Sequence, residues 1–374
     1  MMRVPKNYLV KISTCCLIFI CITSTCTTLH NVNAFLPQST TKNSHSKKIY
    51  QQHIPQSYFV TNTSNTKLTP LQASSIPNRG GGGDASTSSS IISAIDIPRI
   101  SVTVAGTYLT WLLQQQGYTN VMASSALTLI CCMLSTNASL CQGAFCGTFA
   151  GMASKTIIPS WYSALGLGLL TSSLYEVLIE SKNKFVGVGG RLGATAFIAS
   201  LIIAFTIGTP TGLSLSLSSL PSFNVIMNHL VQNKDVILSM SFWHAVGSIG
   251  TILCRENGDD TTAKSPVRAS AVIGLMGALF LTKNKSAALA VYGGSFIGMS
   301  APPRLVHGIL PGQDSKAIST VRLLSAFAIA GALGGMVHGL TIGLGWFNGG
   351  WGGKAGFCAF LGCLLYRGVH NLVK

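Results

Sequence analysis

From about residue 98 the chain alternates long apolar stretches with short polar interruptions, and this pattern predicts ten helices. They fall at 98–113, 121–135, 139–154, 158–179, 190–208, 236–254, 269–282, 286–301, 321–345 and 354–370. Apolar runs of this length, bounded by Gly, Pro and charged residues, read as helices buried in protein or lipid. Segments 139–154 and 286–301, which carry the repeated passages, have only about 16 residues each. As helices they are ~24 Å long, less than the ~30 Å hydrocarbon core, so each is expected to tilt, break or re-enter. The reading adopted is ten crossings. The stretch at 210–235, rich in Ser with Thr and Pro, is expected to link two halves, 98–209 and 236–374.

The halves share two passages in the same order. CGTFAGMAS at Cys146–Ser154 returns as GGSFIGMSA at Gly293–Ala301, and GVGGRLGATAFIA at Gly187–Ala199 returns as GWGGKAGFCAFLG at Gly350–Gly362. An internal duplication with five segments per unit places the second copy upside down, the inverted-repeat plan of many transporters. Loop charge agrees with that plan. Of the 17 Lys and Arg from Arg99 onward, 12 fall on one side, and Lys155, Lys234, Lys283, Lys285 and Lys354 on the other.

Composition narrows the class. Only 9% of the 374 residues are charged and 48% are hydrophobic, whereas soluble domains carry about 25% charged residues. The expectation is an all-α polytopic membrane bundle of about ten short Gly-rich helices in contact with the bilayer, free to oligomerise. The 11 Cys lack the His or carboxylate company of a metal site and read as small packing residues. No P-loop, HExxH or dinucleotide fingerprint occurs, and no Ser–His–acid set is evident, so no enzyme, cofactor or metal is expected. The formal charge of +16 is dispersed over loops, which argues against a nucleic-acid footprint.

The N-terminus reads as an address. Arg3, Lys6 and Lys11 precede the apolar run Cys15–Ile22, and Val32-Asn33-Ala34 offers a cleavage site, so 1–34 is read as a signal peptide. Residues 35–97 are polar, and up to about Ser90 they carry Asp84 as their only acid, a composition that cannot pack a core. With Ala34-Phe35-Leu36-Pro37 at the junction, this region resembles the bipartite plastid-targeting presequences of algae with secondary plastids. The resemblance implies a plastid membrane, envelope or thylakoid, and Ala34 and Phe35 as the cleavage pair. The alternative is an endomembrane or plasma-membrane protein with a disordered arm. Fused to a fluorescent protein, residues 1–90 should reach the plastid, and Phe35→Ala should trap the fusion outside it. Unchanged import of Phe35→Ala removes the main support for the assignment.

Candidate chemistry lies in the repeated passages. Gly147 and Gly151, like Gly294 and Gly298, are four apart and mark a helix face where another backbone can approach. They line either a close packing seam or a pathway, with Thr148 and Ser295 as aligned hydroxyls. Glu176 and His338 align at an offset of 162 and form a candidate pair for proton or solute handling. Lys155 and Arg304, beyond the two passages, are candidate cations at a pore mouth or lipid-headgroup anchors. Trp346, Phe347 and Trp351 read as an interfacial aromatic loop. The function expected is a transporter or channel for a small solute or ion, with a non-transporting scaffold as the alternative.

Overall fold

The computed structural model describes residues 96–180, 185–208, 228, 231–257, 265–306, 319–344, 346–347 and 350–372. Ala34, Phe35 and the rest of the targeting region lie outside the described residues, as do most of the 210–235 linker, Lys182, Lys184, Lys264, His307, Lys316 and Lys374. Among the described residues the fold is all-α. Its long helices are α1 (Ile97–Gln115), α2 (Asn120–Leu134), α3 (Ala138–Ala150), α4 (Trp161–Glu180) and α5 (Arg191–Ile207), followed by α6 (Lys234–Glu256), α7 (Pro266–Phe280), α8 (Lys285–Gly298), α9 (Thr320–Gly343) and α10 (Lys354–Leu372). A single turn, Pro302–Leu305, precedes α9.

Helix starts follow local chemistry. The side chains of Asp96, Thr119, Asn137 and Asn284 accept backbone N–H groups of the first turns they precede, satisfying donors that a helix cannot satisfy itself. Pro98 and Pro266 sit in first turns, where no N–H is needed.

Two helices end earlier than their apolar pattern predicts. α3 has 13 residues and stops at Ala150, while α8 has 14 and stops at Gly298. Met152, Ala153, Ile157 and Ile158 remain buried beyond α3, so the hydrophobic pattern continues through a buried turn. Each turn is held by a distant loop. Ser154 N–H donates to Gly350 O at 2.8 Å, and Ala301 N–H donates to Gly187 O at 2.8 Å.

The packing order is simple. α1 packs on α3 and α4, α3 on α2 and α5, and α4 on α5; α6 packs on α8 and α9, α8 on α7 and α10, and α9 on α10. Between these groups α2 meets α7 and α5 meets α10. At the second meeting the Cα atoms of Gly193 and Gly356 leave no room for a side chain on either. The loops entering α5 and α10 turn through Gly190 (φ +82°) and Gly353 (φ +79°), a left-handed conformation suited to glycine. A Cβ on Gly190 would strike the backbone of Gly356 and Phe360, and one on Gly353 that of Gly193 and Phe197.

Large apolar side chains lie on the outside as well as in the core, and hydroxyl-bearing residues share the interior with aliphatic and aromatic ones. Leu238, Phe242, Met133, Tyr162, Phe280 and Val321 are exposed, while Thr103, Thr107, Ser124, Thr128, Ser248 and Ser270 are buried. Many inner hydroxyls bond back to their own helix, as Thr107 does to Thr103 O and Thr251 to Gly247 O, at 2.9 Å each. Among the described residues three helices are long and apolar enough to cross a membrane, at Trp161–Ile179, Lys234–Glu256 and Thr320–Gly343. Hydroxyl-bearing residues and glycines at the helix contacts, with further large apolar residues facing outward, fit helices packed within lipid.

Candidate functional site

The repeated passages converge at the centre of the bundle. Phe145 and Phe149 on α3 meet Tyr292 and Phe296 on α8, with ring centroids from 4.1 Å (Phe149–Phe296) to 6.3 Å (Phe145–Tyr292). All four rings are fully or almost fully buried. Their edge-to-face and tilted contacts are the preferred geometries of aromatic pairs and close the seam against water. Tyr292 also shares a hydrogen bond with Ser124 at 3.1 Å.

The glycines of these passages are spent on helix contact. A Cβ on Gly147 would enter the Thr103 carbonyl and one on Gly294 the His244 carbonyl. Gly151 rests on Thr107 and Thr110, and Gly298 on Ser248 and Thr251. Thr148 and Ser295 are wholly buried. Thr148 pairs with Thr128 at 2.8 Å and Ser295 with Ser270 at 2.6 Å. Both also donate to a carbonyl of their own helix. The carbonyls freed at the helix ends are capped as well. Gln114 reaches Gly151 O, and Arg255 donates to Ser300 O at 2.9 Å and Met299 O at 3.4 Å.

One side of the aromatic cluster opens into a cavity of about 190 Å³. Phe149, Met152, Leu289 and Ile342 supply apolar wall, and His338, Lys354 and Asn120 supply polar atoms. Lys354, the first residue of α10, bends over the loop and donates to Trp346 O at 2.9 Å and Phe347 O at 3.3 Å. Behind His338 stands His244, with Nε2 3.0 Å from His338 Nδ1. Both rings are buried, and His244 Nδ1 has no hydrogen-bond partner among the described residues.

Glu176 and His338 do not meet. Glu176 forms a two-pronged ion pair with Arg99, through Nε at 2.6 Å and through Nη2, and Arg99 also touches Asp96 at 3.3 Å and Ser139 at 2.7 Å. The carboxylate therefore ties α4 to α1, whereas His338 ties α9 to α6. Lys155 is exposed beyond α3. Arg304 is partly buried against Gly187, where burial, then nearby Arg367, pushes its pKa down. The aromatic loop divides: Trp346 is half-exposed, but Trp351 is 4% exposed and packs with Phe197 and Phe347. It is a core residue rather than a surface anchor.

Sequence reasoning missed the four-ring cluster, the His244–His338 bond and the caps by Gln114 and Arg255. The aligned aromatics inside the repeated passages carried a signal for the first. Nothing local signals the others, because their partners lie 37 to 94 positions away. Among the described residues no group of three or more His, Cys, Asp or Glu is placed to hold a metal ion. No family model matches the sequence, and no curated protein or solved structure is significantly similar to it.

Proposed function

We propose that the chain is an integral membrane transporter or channel for a small solute or ion, built from two inverted halves with the pathway along their seam. The duplication is supported by equivalent contacts in the two halves. Helices α1–α5 and α6–α10 pack in the same pairwise order. Gln114 and Arg255 cap the ends of α3 and α8, the Ser154 and Ala301 amides bond the Gly350 and Gly187 carbonyls, and Gly193 faces Gly356. A plastid membrane is the proposed location, on the presequence alone.

The observation that carries transport is the cavity at the seam. It combines His338 and Lys354 with an apolar wall and stops at Phe149, one of the four rings. At the positions equivalent to Leu289, His338 and Lys354 stand Gln142, Tyr175 and Arg191, with Tyr175 OH donating to Gln142 Oε1 at 3.0 Å. The cluster of rings then acts as a closed hydrophobic gate between two mouths. The second reading, a non-transporting scaffold, is favoured by the satisfied Thr148 and Ser295 hydroxyls and the fully packed glycines.

Flux into proteoliposomes separates the two. In a gated pathway, Phe149→Ala with Phe296→Ala should raise solute flux on the order of tenfold over wild type. A scaffold carrying the same changes stays as tight as the unaltered protein. Tight vesicles containing folded double variant would remove the transport reading.

A further inference from the structure

We propose that the seam cavity binds a small monovalent organic anion, a charged head on a short apolar body, between Lys354 and His338. The inference rests on reading the seam as a transport pathway and assigns the class of solute.

The polarity of the site follows from its hydrogen bonds. His244 and His338 share one proton between Nε2 and Nδ1. If His338 Nδ1 held it, the isolated Nδ1 of His244 would be a buried N–H without an acceptor. Orphaned buried donors are rarer in proteins than under-used acceptors. The favoured arrangement has His244 Nε2–H donating to His338 Nδ1, so His338 Nε2 carries the remaining hydrogen for the cavity that it lines.

Lys354 adds a second donor. An ammonium has three N–H groups, and two are taken by the carbonyls of Trp346 and Phe347. One remains, together with the charge. Asn120 Oδ1 already accepts Val121 N–H at 2.9 Å, which leaves its amide hydrogens. Among the described residues no Asp or Glu lines the cavity to balance these donors. The Lys354 ammonium and the N–H groups of His338 and Asn120 thus ask for acceptors, and the charge on Lys354 makes a negative ligand the best match.

The walls define the rest of the ligand. Phe149, Leu289 and Ile342 would waste their contact on a hydrated inorganic anion but bury a short alkyl body. At about 190 Å³ the cavity is smaller than the ~300–1,000 Å³ of typical small-molecule sites, so the body is only a few atoms long.

Binding should be measured by calorimetry on the full chain in nanodiscs, with 1-propanesulfonate as probe, because it stays ionised and does not leak through lipid. Methanesulfonate, chloride and propylammonium are the comparisons. Propanesulfonate should bind once per chain, methanesulfonate about tenfold more weakly for two lost methylenes, and propylammonium not at all. Lys354→Gln should weaken binding about tenfold or more, and Lys354→Arg should restore most of it. Should Lys354→Gln fail to fold, Ile342→Trp tests the site by filling it, and propanesulfonate binding should be lost. Equal binding of propylammonium or chloride, or unchanged affinity in a folded Lys354→Gln or Ile342→Trp variant, overturns the assignment. The two readings fail separately. Lys354-dependent binding without flux supports the anion site and removes the pathway, whereas flux of another solute without propanesulfonate binding removes the anion site and keeps the pathway.

Discussion

Gly190→Ala should be among the most damaging single-methyl changes in this protein, and Gly353→Ala its equal. Two costs add. At φ of +82° and +79° an added Cβ is strained by about 1–2 kcal/mol. Each methyl would also collide with backbone across the α5–α10 contact, and such overpacking costs ~1–3 kcal/mol. The controls isolate the terms. Among the described residues nothing lies within 4 Å of where a Cβ on Gly117 (φ +95°) or Gly208 (φ +70°) would stand, so alanine there should cost only the conformational part. Gly368→Ala, also unobstructed and within a helix, should be neutral or slightly stabilising. Thermal unfolding in detergent across these five variants should rank them in that order. If Gly190→Ala and Gly117→Ala are equally mild, the close contact between α5 and α10 is wrong.

Glu176→Gln carries the second large effect, and the effect is on stability. The Arg99 and Glu176 side chains are only 11% and 10% exposed and share two hydrogen bonds. Removing one charge of a buried pair leaves the other uncompensated, at a typical cost of 3–5 kcal/mol. Asp96, 3.3 Å from Arg99, still faces the guanidinium, so the loss should fall at the lower end. Replacing both partners, Arg99→Met with Glu176→Leu, should recover much of the loss, because the joint change leaves no buried charge. Normal melting of Glu176→Gln alone would show that the pair contributes little. Solute flux serves as an independent readout, since a purely structural pair changes the amount of folded protein and leaves the rate per folded molecule.

The helices were legible in the sequence because an apolar run in a nearly uncharged chain has few alternatives. Their ends were less so. Residues 151–154 and 299–301 are as apolar as helix, and only the amides of Ser154 and Ala301, bonded to remote glycines, show that the chain has turned. The candidate pair was misdrawn by one residue. At an offset of 162 Glu176 aligns with His338, but Gly187/Gly350, Gly190/Gly353 and Gly193/Gly356 are all separated by 163. At that spacing His338 corresponds to Tyr175 and Glu176 to Gly339, and the structure bonds His338 to His244 and Glu176 to Arg99. A helix turns about 100° per residue, enough for a slip of one to move a side chain to another face. Lys354 was legible as the match of Arg191, but its place above a cavity depends on the fold of the Trp346–Lys354 loop.

The bond from Ser154 to Gly350 also sets an order of events during biosynthesis. The amide waits for a carbonyl about 200 residues downstream, which at ribosomal speed takes roughly 10–40 s to appear. During that interval the first five helices can form, but the turn after α3 stays unfinished, and the ring faces of Phe145 and Phe149 lack their cover until Tyr292 and Phe296 have been made. The nascent chain therefore has a built-in delay during which an apolar face has no partner from its own sequence. A chain halted before Tyr292 is made would keep those ring faces uncovered, whereas one halted just before Gly350 would lack only the bond that closes the turn.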